Sequence, residues 1–159
     1  MTWSKQVKNL ANILIRDNFP ELSKERIIVL SSSLGPFWGV SWWPLPFFRL
    51  IMVSHKSKDV TQDALIGLLA HELCHHVIYK NDGWVKYIVR TPLIYTMFRK
   101  RIRAEECRVD RMVMDRGFGK HLYLLTKIID NDPSHSNVKK YYYTPTEIED
   151  YCLKNSVKF

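Results

Sequence analysis

An α+β fold is predicted by three observations. Apolar residues recur at helical spacing in four stretches, two short apolar runs read as strands, and those strands are grouped near one another instead of alternating with the helices. The 159 residues suit a single domain, 1–159. Hydrophobic residues make up 46% and charged residues 25%, which excludes disorder as the overall state. A domain of this size buries roughly 68–70% of its unfolded surface, so neither a disulfide nor a metal is needed merely to hold a core together.

Each element has its own signal. Trp3 to Asn18 places Val7, Leu10, Leu14 and Ile15 on one side of a helix that Phe19-Pro20 ends. Ile27 to Leu30 reads as a buried strand, and Phe47 to Val53 as a second in which Arg49 interrupts the apolar run. Between them, Phe37, Trp38, Trp42 and Trp43 sit among prolines and glycines, as aromatics that cover a core or line a groove. Ile27 to Phe48 carries no formal charge and is long enough to cross a bilayer, but Pro36, Pro44, Pro46, Gly35 and Gly39 would break a spanning helix. Two strands joined by a loop are expected there instead.

A strong helix follows from about Val60 to Tyr79, stopped by Asn81-Asp82-Gly83. Trp84 to Phe98 is apolar-rich and reads as a helix pair or a helix and a loop. A further helix runs from about Arg99 to Arg116, with Gly117 where a C-terminal cap belongs, and another from about Lys120 to Ile129. Thr144-Pro145-Thr146-Glu147 has the form of a capping box opening a last short helix.

Cys74, Cys107 and Cys152 form no C-x-x-C and cannot all pair, which points to a reducing, cytoplasmic setting. No signal peptide is expected, because Met1 to Asp17 lacks an apolar core before a cleavage site. Seven of the 24 Lys and Arg residues behind the formal charge of +8 fall between Arg99 and Arg116. The excess suits an anionic partner, either nucleic acid or an anionic membrane surface beside the apolar Trp84 to Phe98 stretch, or simply a solvated helix face. No helix-turn-helix, RNP or finger pattern accompanies it.

The informative motif is His71-Glu72-Leu73-Cys74-His75, an HExxH within a predicted helix. Its chance occurrence somewhere in a chain of this composition is about 1%. Positions four apart lie one turn above each other, so His71 and His75 can hold one ion from the same face. Glu72 is rotated about 100° from His71, beside the metal, where it can take a proton from a metal-bound water and deliver it to a leaving amine. The alternative is two solvent-facing histidines on an ordinary core helix. Catalytic zinc takes three protein ligands. Glu106 on the next well-defined helix could complete a His₂Glu set, and Asp110, one turn on, could fix a ligand histidine's tautomer. The same two acids could equally be salt-bridged on an exposed basic helix.

HExxH followed by Glu106-Cys107-Arg108-Val109-Asp110 resembles the signature of the gluzincin metallopeptidases. With Leu68 to His76 and Gly117-Phe118-Gly119, the chain from about Ile27 to Lys120 looks most like the HtpX-like and CAAX prenyl protease-like peptidases, and its size resembles their small catalytic cores, the minigluzincins. The resemblance implies a zincin-like fold and a zinc metalloendopeptidase. His71, His75 and Glu106 would hold one zinc ion, Glu72 would be the catalytic base, and Asp110 would support a ligand. It further implies a small sheet whose edge strand, for which Phe47 to Val53 is the candidate, pairs with a peptide or protein substrate. Two departures are Val109, where the family usually has a small residue, and the long apolar insert Trp84 to Phe98.

Minigluzincins can be latent, so residues beyond about Ile129 could lie across the cleft, as a zymogen-like cover, or pack as a C-terminal helix. Cys152 could be a thiolate that blocks the zinc. Gluzincins commonly stabilise the oxyanion with a downstream His or Tyr, and His121, His135 and Tyr141 to Tyr143 are available. His76 reads as a surface or supporting residue, and Cys74 and Cys107 as small packing residues. The alternatives are a regulatory or DNA-linked HExxH protease of the ImmA-like or SprT-like kind, or a non-catalytic nucleic-acid- or membrane-binding module with a degenerate zinc site.

Overall fold

The first helix, α1 (Trp3–Asn18), forms where the apolar spacing predicts it and buries Val7, Ala11 and Leu14. In this computed structural model residues 2–96 and 99–159 are described, and they form six α-helices and one three-stranded mixed sheet, an α+β architecture. The strands are β1 (Ile27–Ser32), β2 (Gly39–Leu45) and β3 (Phe48–Ser54), in the spatial order β1-β3-β2. β1 runs parallel to β3, from Ile27 opposite Arg49 to Ser32 opposite Ser54. β2 is antiparallel to β3, from Gly39 opposite Val53 to Trp42 opposite Leu50, and pairing resumes at Leu45 opposite Phe48.

This order corrects two expectations. Residues 39–45 form a strand and not a loop, and the strand expected at the edge, Phe47 to Val53, is the central one. Pro44 and the two tryptophans obscured β2 as a strand. Its irregular pairing between Trp42 and Leu45 shows how they are tolerated, since a proline without an N–H is confined to sheet edges. The uncharged run from Ile27 is consumed by β1, β2 and their connection. Among the described residues no helix is long and apolar enough to cross a membrane.

Arg49, the charge inside the apolar β3, is buried and serves as a tie. Its Nε donates to Glu25 Oε2 at 3.1 Å, its Nη1 donates to the His76 carbonyl at 3.2 Å, and its guanidinium lies 3.8 Å from the Trp43 ring centre. It thus joins the central strand to the helix that carries the HExxH motif, one residue past the motif. Arg49→Ala removes one donor from that carbonyl and leaves Glu25 with Lys80 alone, and we expect it to cost about 2 kcal/mol in chemical denaturation.

α2 (Gln62–Asp82) starts at the Thr61 side chain, which accepts from the Ala64 N–H, and ends at Gly83, whose φ of +84° suits a residue without a Cβ. It is buried on nearly every side from Ala64 to Ile78, between the sheet and α5 (Gly119–Asp130). The approach to α5 is close at Gly67, where a Cβ would collide with the His121 carbonyl. α3 (Trp84–Thr96) is one continuous helix where a pair or a helix and loop was expected; Met97 and Phe98, at the end of that expected segment, lie outside the described residues.

α4 (Arg99–Val113) runs into a π-helical turn, Met114–Phe118, in which Gly117 at φ +83° redirects the chain into α5. α6 (Pro145–Lys154) opens with the full capping box of Thr144 and Glu147. Three of the cations around α4 are occupied within the molecule. Arg103 donates to the Lys140 and Tyr142 carbonyls and pairs with Glu147; Arg108 pairs with Asp82; Arg116 donates to the Asn18 carbonyl and pairs with Glu21.

Candidate metal centre

α2 and α4 bring His71, His75 and Glu106 together. The two Nε2 atoms are 3.2 Å apart, and Glu106 Oε2 is 3.4 Å from that of His71 and 3.3 Å from that of His75. Tetrahedral zinc with bonds of about 2.0–2.1 Å has ligand–ligand edges of about 3.3 Å, so the triangle matches the face such an ion needs. All three side chains are buried, the histidines at 7% exposure and Glu106 at 3%, which excludes the alternative of solvent-facing histidines. A buried His-His-Glu group of this shape can hold a metal ion.

The outward nitrogens of both histidines are held. His71 Nδ1 donates to Asp110 Oδ1 at 2.9 Å, and the other Asp110 oxygen accepts the Tyr143 N–H at 3.1 Å. His75 Nδ1 lies 3.2 Å from the Tyr79 hydroxyl. These contacts aim Nε2 of each ring at the centre, and Asp110, which can only accept, selects for His71 the tautomer that leaves Nε2 free to ligate. Burial alone would lower the His71 pKa, but Asp110 and Glu106 outweigh it and hold it well above the usual range. Burial works to raise Glu106, and the facing His75 and His71 instead hold it well below.

Glu72 sits beside the triangle. Burial raises its pKa above the usual carboxylate range despite the two histidines and the Ser41 hydroxyl, which is 2.7 Å from Oε2 and 2.8 Å from the Glu72 carbonyl. Gly39 of β2 faces the same carboxylate so closely that a Cβ there would collide with it. The site opens into a cleft of about 510 Å³ between β2 and α3, walled by Trp42, Trp43, Tyr87 and Ile88. β2 is therefore the edge strand at the site, in the place expected of Phe47 to Val53.

Of the five downstream His and Tyr candidates, Tyr142 is the one at the site, its ring 5.8 Å from that of His71 and lining the cleft. His135 stands behind it at 5.7 Å and is fixed by the Pro36 carbonyl, 2.8 Å from Nδ1. Tyr143 contributes its backbone N–H to Asp110, while the Tyr141 carbonyl faces the Cys107 sulfur. His121 lies on α5 against Phe118. Residues beyond Ile129 include the expected packed C-terminal helix. Turns through 133–143 cover one flank of the centre, where a cavity of about 40 Å³ remains behind His71 and Glu72, and α6 packs on α5.

Two side chains are corrected. Cys152 is buried against Gly119 at the start of α5 and is not at the metal centre. His76 is not on the surface. It is fully buried, bound to the Leu50 carbonyl at 3.2 Å, and pushed down to about 3 by burial, Arg49 and His75. Cys74 and Cys107 are buried free thiols, as expected of packing residues. Tyr79 and Ser41 were missed. Tyr79 had a signal, because it follows His75 by one helical turn; Ser41 had none, because its position depends on β2. The chain matches no protein-family model, no curated protein and no solved structure.

Proposed function

We propose that the chain is a zinc-dependent metalloendopeptidase with a zincin-like, gluzincin-type site. The observation that carries the reading is the buried triangle of His71, His75 and Glu106, with a second carboxylate, Glu72, at its side against Gly39 and hydrogen-bonded by Ser41. A glutamate as third ligand favours the gluzincin type over SprT-like proteases, in which that ligand is histidine. Intramolecular pairing of Arg103, Arg108 and Arg116 weighs against α4 as a nucleic-acid face.

Zinc, when bound, supplies Lewis acidity to the peptide carbonyl and makes water acidic enough to react near neutral pH. The protein's own groups do the rest. Glu72 accepts the proton of the attacking water and passes it to the leaving amine, for which its raised pKa is suited. The edge of β2 offers backbone hydrogen-bonding groups along which an extended peptide can lie. Tyr142, which lines the cleft with its ring 5.8 Å from that of His71, is the residue we assign to donate to the carbonyl oxygen as charge develops there.

The test is zinc content measured together with endoproteolysis of an unstructured protein such as casein. We expect about one zinc per chain, and cleavage that a chelator abolishes and added zinc restores. Stoichiometric zinc without cleavage of any peptide pool would leave a metal-binding protein and remove the peptidase.

A further inference from the structure

Eleven large hydrophobic side chains are exposed among the described residues, and six of them gather around the end of the molecule where β2 turns into β3. Trp42 at 51%, Leu45 and Phe47 at 67% belong to the hairpin, whose turn projects at the end of the sheet. Val85 at 71%, Ile88 and Val89 follow the i, i+3, i+4 spacing of one stripe on α3. The two groups adjoin, because Trp42 and Ile88 wall the same cleft and the Trp43 N–H donates to the Tyr87 hydroxyl at 3.0 Å. Such a concentration on a protruding tip and one helix stripe exceeds the scatter normal for a monomer's surface.

The charge around it has one sign. Lys24 and Arg26 are exposed at the foot of β1, beside the start of β3, where the Arg49 N–H donates to the Arg26 carbonyl at 2.8 Å. Neither makes an ion pair among the described residues. The acids at this end are engaged: Glu25 with Arg49 and Lys80, and Asp82 with Lys86 and Arg108. The whole chain carries +8. An apolar tip with Trp and Phe, an aliphatic stripe and a basic rim have the chemistry of a surface that enters the headgroup region of an anionic bilayer.

We propose that the β2–β3 hairpin and the Val85, Ile88 and Val89 stripe of α3 form a docking face for an anionic membrane surface, with Lys24 and Arg26 contacting lipid phosphate. It borders the cleft of the metal centre at Trp42 and Ile88, and vesicle binding tests it without regard to peptidase activity. The occupant is a bilayer and not a second copy because two such faces would bring their basic rims together.

The experiment is co-sedimentation of the full chain, with and without zinc, with vesicles of phosphatidylcholine alone and of phosphatidylcholine mixed with phosphatidylglycerol. We expect binding to the anionic vesicles, weakened by salt. Partition should fall at least about tenfold in Phe47→Glu with Val89→Glu, since a charge placed in the apolar layer is costly. Lys24→Glu with Arg26→Glu should fall severalfold and lose much of the salt dependence. Circular dichroism and thermal unfolding of each variant confirm that it folds, and the cationic pair lies outside the core. Equal binding to neutral vesicles, or no binding to either, overturns the proposal. So does concentration-dependent dimerisation in sedimentation velocity that Phe47→Glu with Val89→Glu abolishes while vesicle binding is absent.

Discussion

Under the proposed function, Glu72→Gln is expected to lower peptide hydrolysis by about 10³-fold and to leave zinc content unchanged. Glutamine preserves the shape of the side chain and can still accept the Ser41 hydrogen bond at 2.7 Å, so the pocket between β2 and α2 stays filled. What it cannot do is take up a proton. The loss should therefore appear in kcat, with KM nearly unchanged, because the interaction that disappears is made in the transition state and not in the bound substrate. Stability moves the other way. Glu72 is 3% exposed and its burial raises the pKa of the carboxyl, so a charged carboxylate is held there at a cost. The neutral amide removes that cost, and Glu72→Gln should unfold at an equal or higher temperature than wild type. An inactive, zinc-loaded and undiminished fold is the signature of a group retained for chemistry. Substantial residual turnover would assign proton transfer to another group.

The parts of this molecule legible in its sequence are those set by local periodicity. α1 has the predicted bounds because its apolar positions recur every three or four residues. The two histidines and Glu106 with Asp110 could be paired in advance because each pair is separated by one turn of a helix. The Thr144 capping box is likewise a four-residue event. What was not legible depends on partners far along the chain. β2 was hidden because Trp42, Trp43 and Pro44 break the alternation of a strand, and only an edge position accommodates them. With β2 missed, β3 was placed at the edge and Ser41 and Gly39 had no role. His76 followed the motif with nothing to reveal that Arg49 and the Leu50 carbonyl, both on β3, would bury it. The meeting of α2 with α4 was open for the same reason, since Glu106 among arginines reads equally well as an exposed helix face. Its burial at the two imidazoles distinguishes the readings.

His75→Ala empties the metal centre, whereas Glu106→Ala weakens it and Asp110→Asn only loosens it. With His75 gone, the two remaining ligands, His71 and Glu106, sit on different helices and no longer form a one-helix pair, and zinc content after dialysis should fall close to zero. Glu106→Ala leaves both nitrogens 3.2 Å apart on one helix and removes the anion, so zinc is retained at high concentration and lost on dilution. Asp110→Asn keeps all three ligands but exchanges the carboxylate that accepts the His71 Nδ1–H for an amide, and affinity should fall about 10–100-fold. The same contact sets the pH dependence. Asp110 and Glu106 hold the His71 pKa well above its usual range in the metal-free protein, so zinc must displace a proton from that ring. Zinc affinity therefore falls as pH is lowered through neutrality and rises as pH increases. In Asp110→Asn the imidazolium loses one of its anionic partners, so the dependence weakens at neutral pH although the affinity is lower. Calorimetric zinc titrations in buffers of different ionisation enthalpy read both quantities, the affinity and the protons released. A purely structural role for Asp110 would lower the affinity without changing the proton count, and undiminished zinc in both His75→Ala and Glu106→Ala would remove the metal centre altogether.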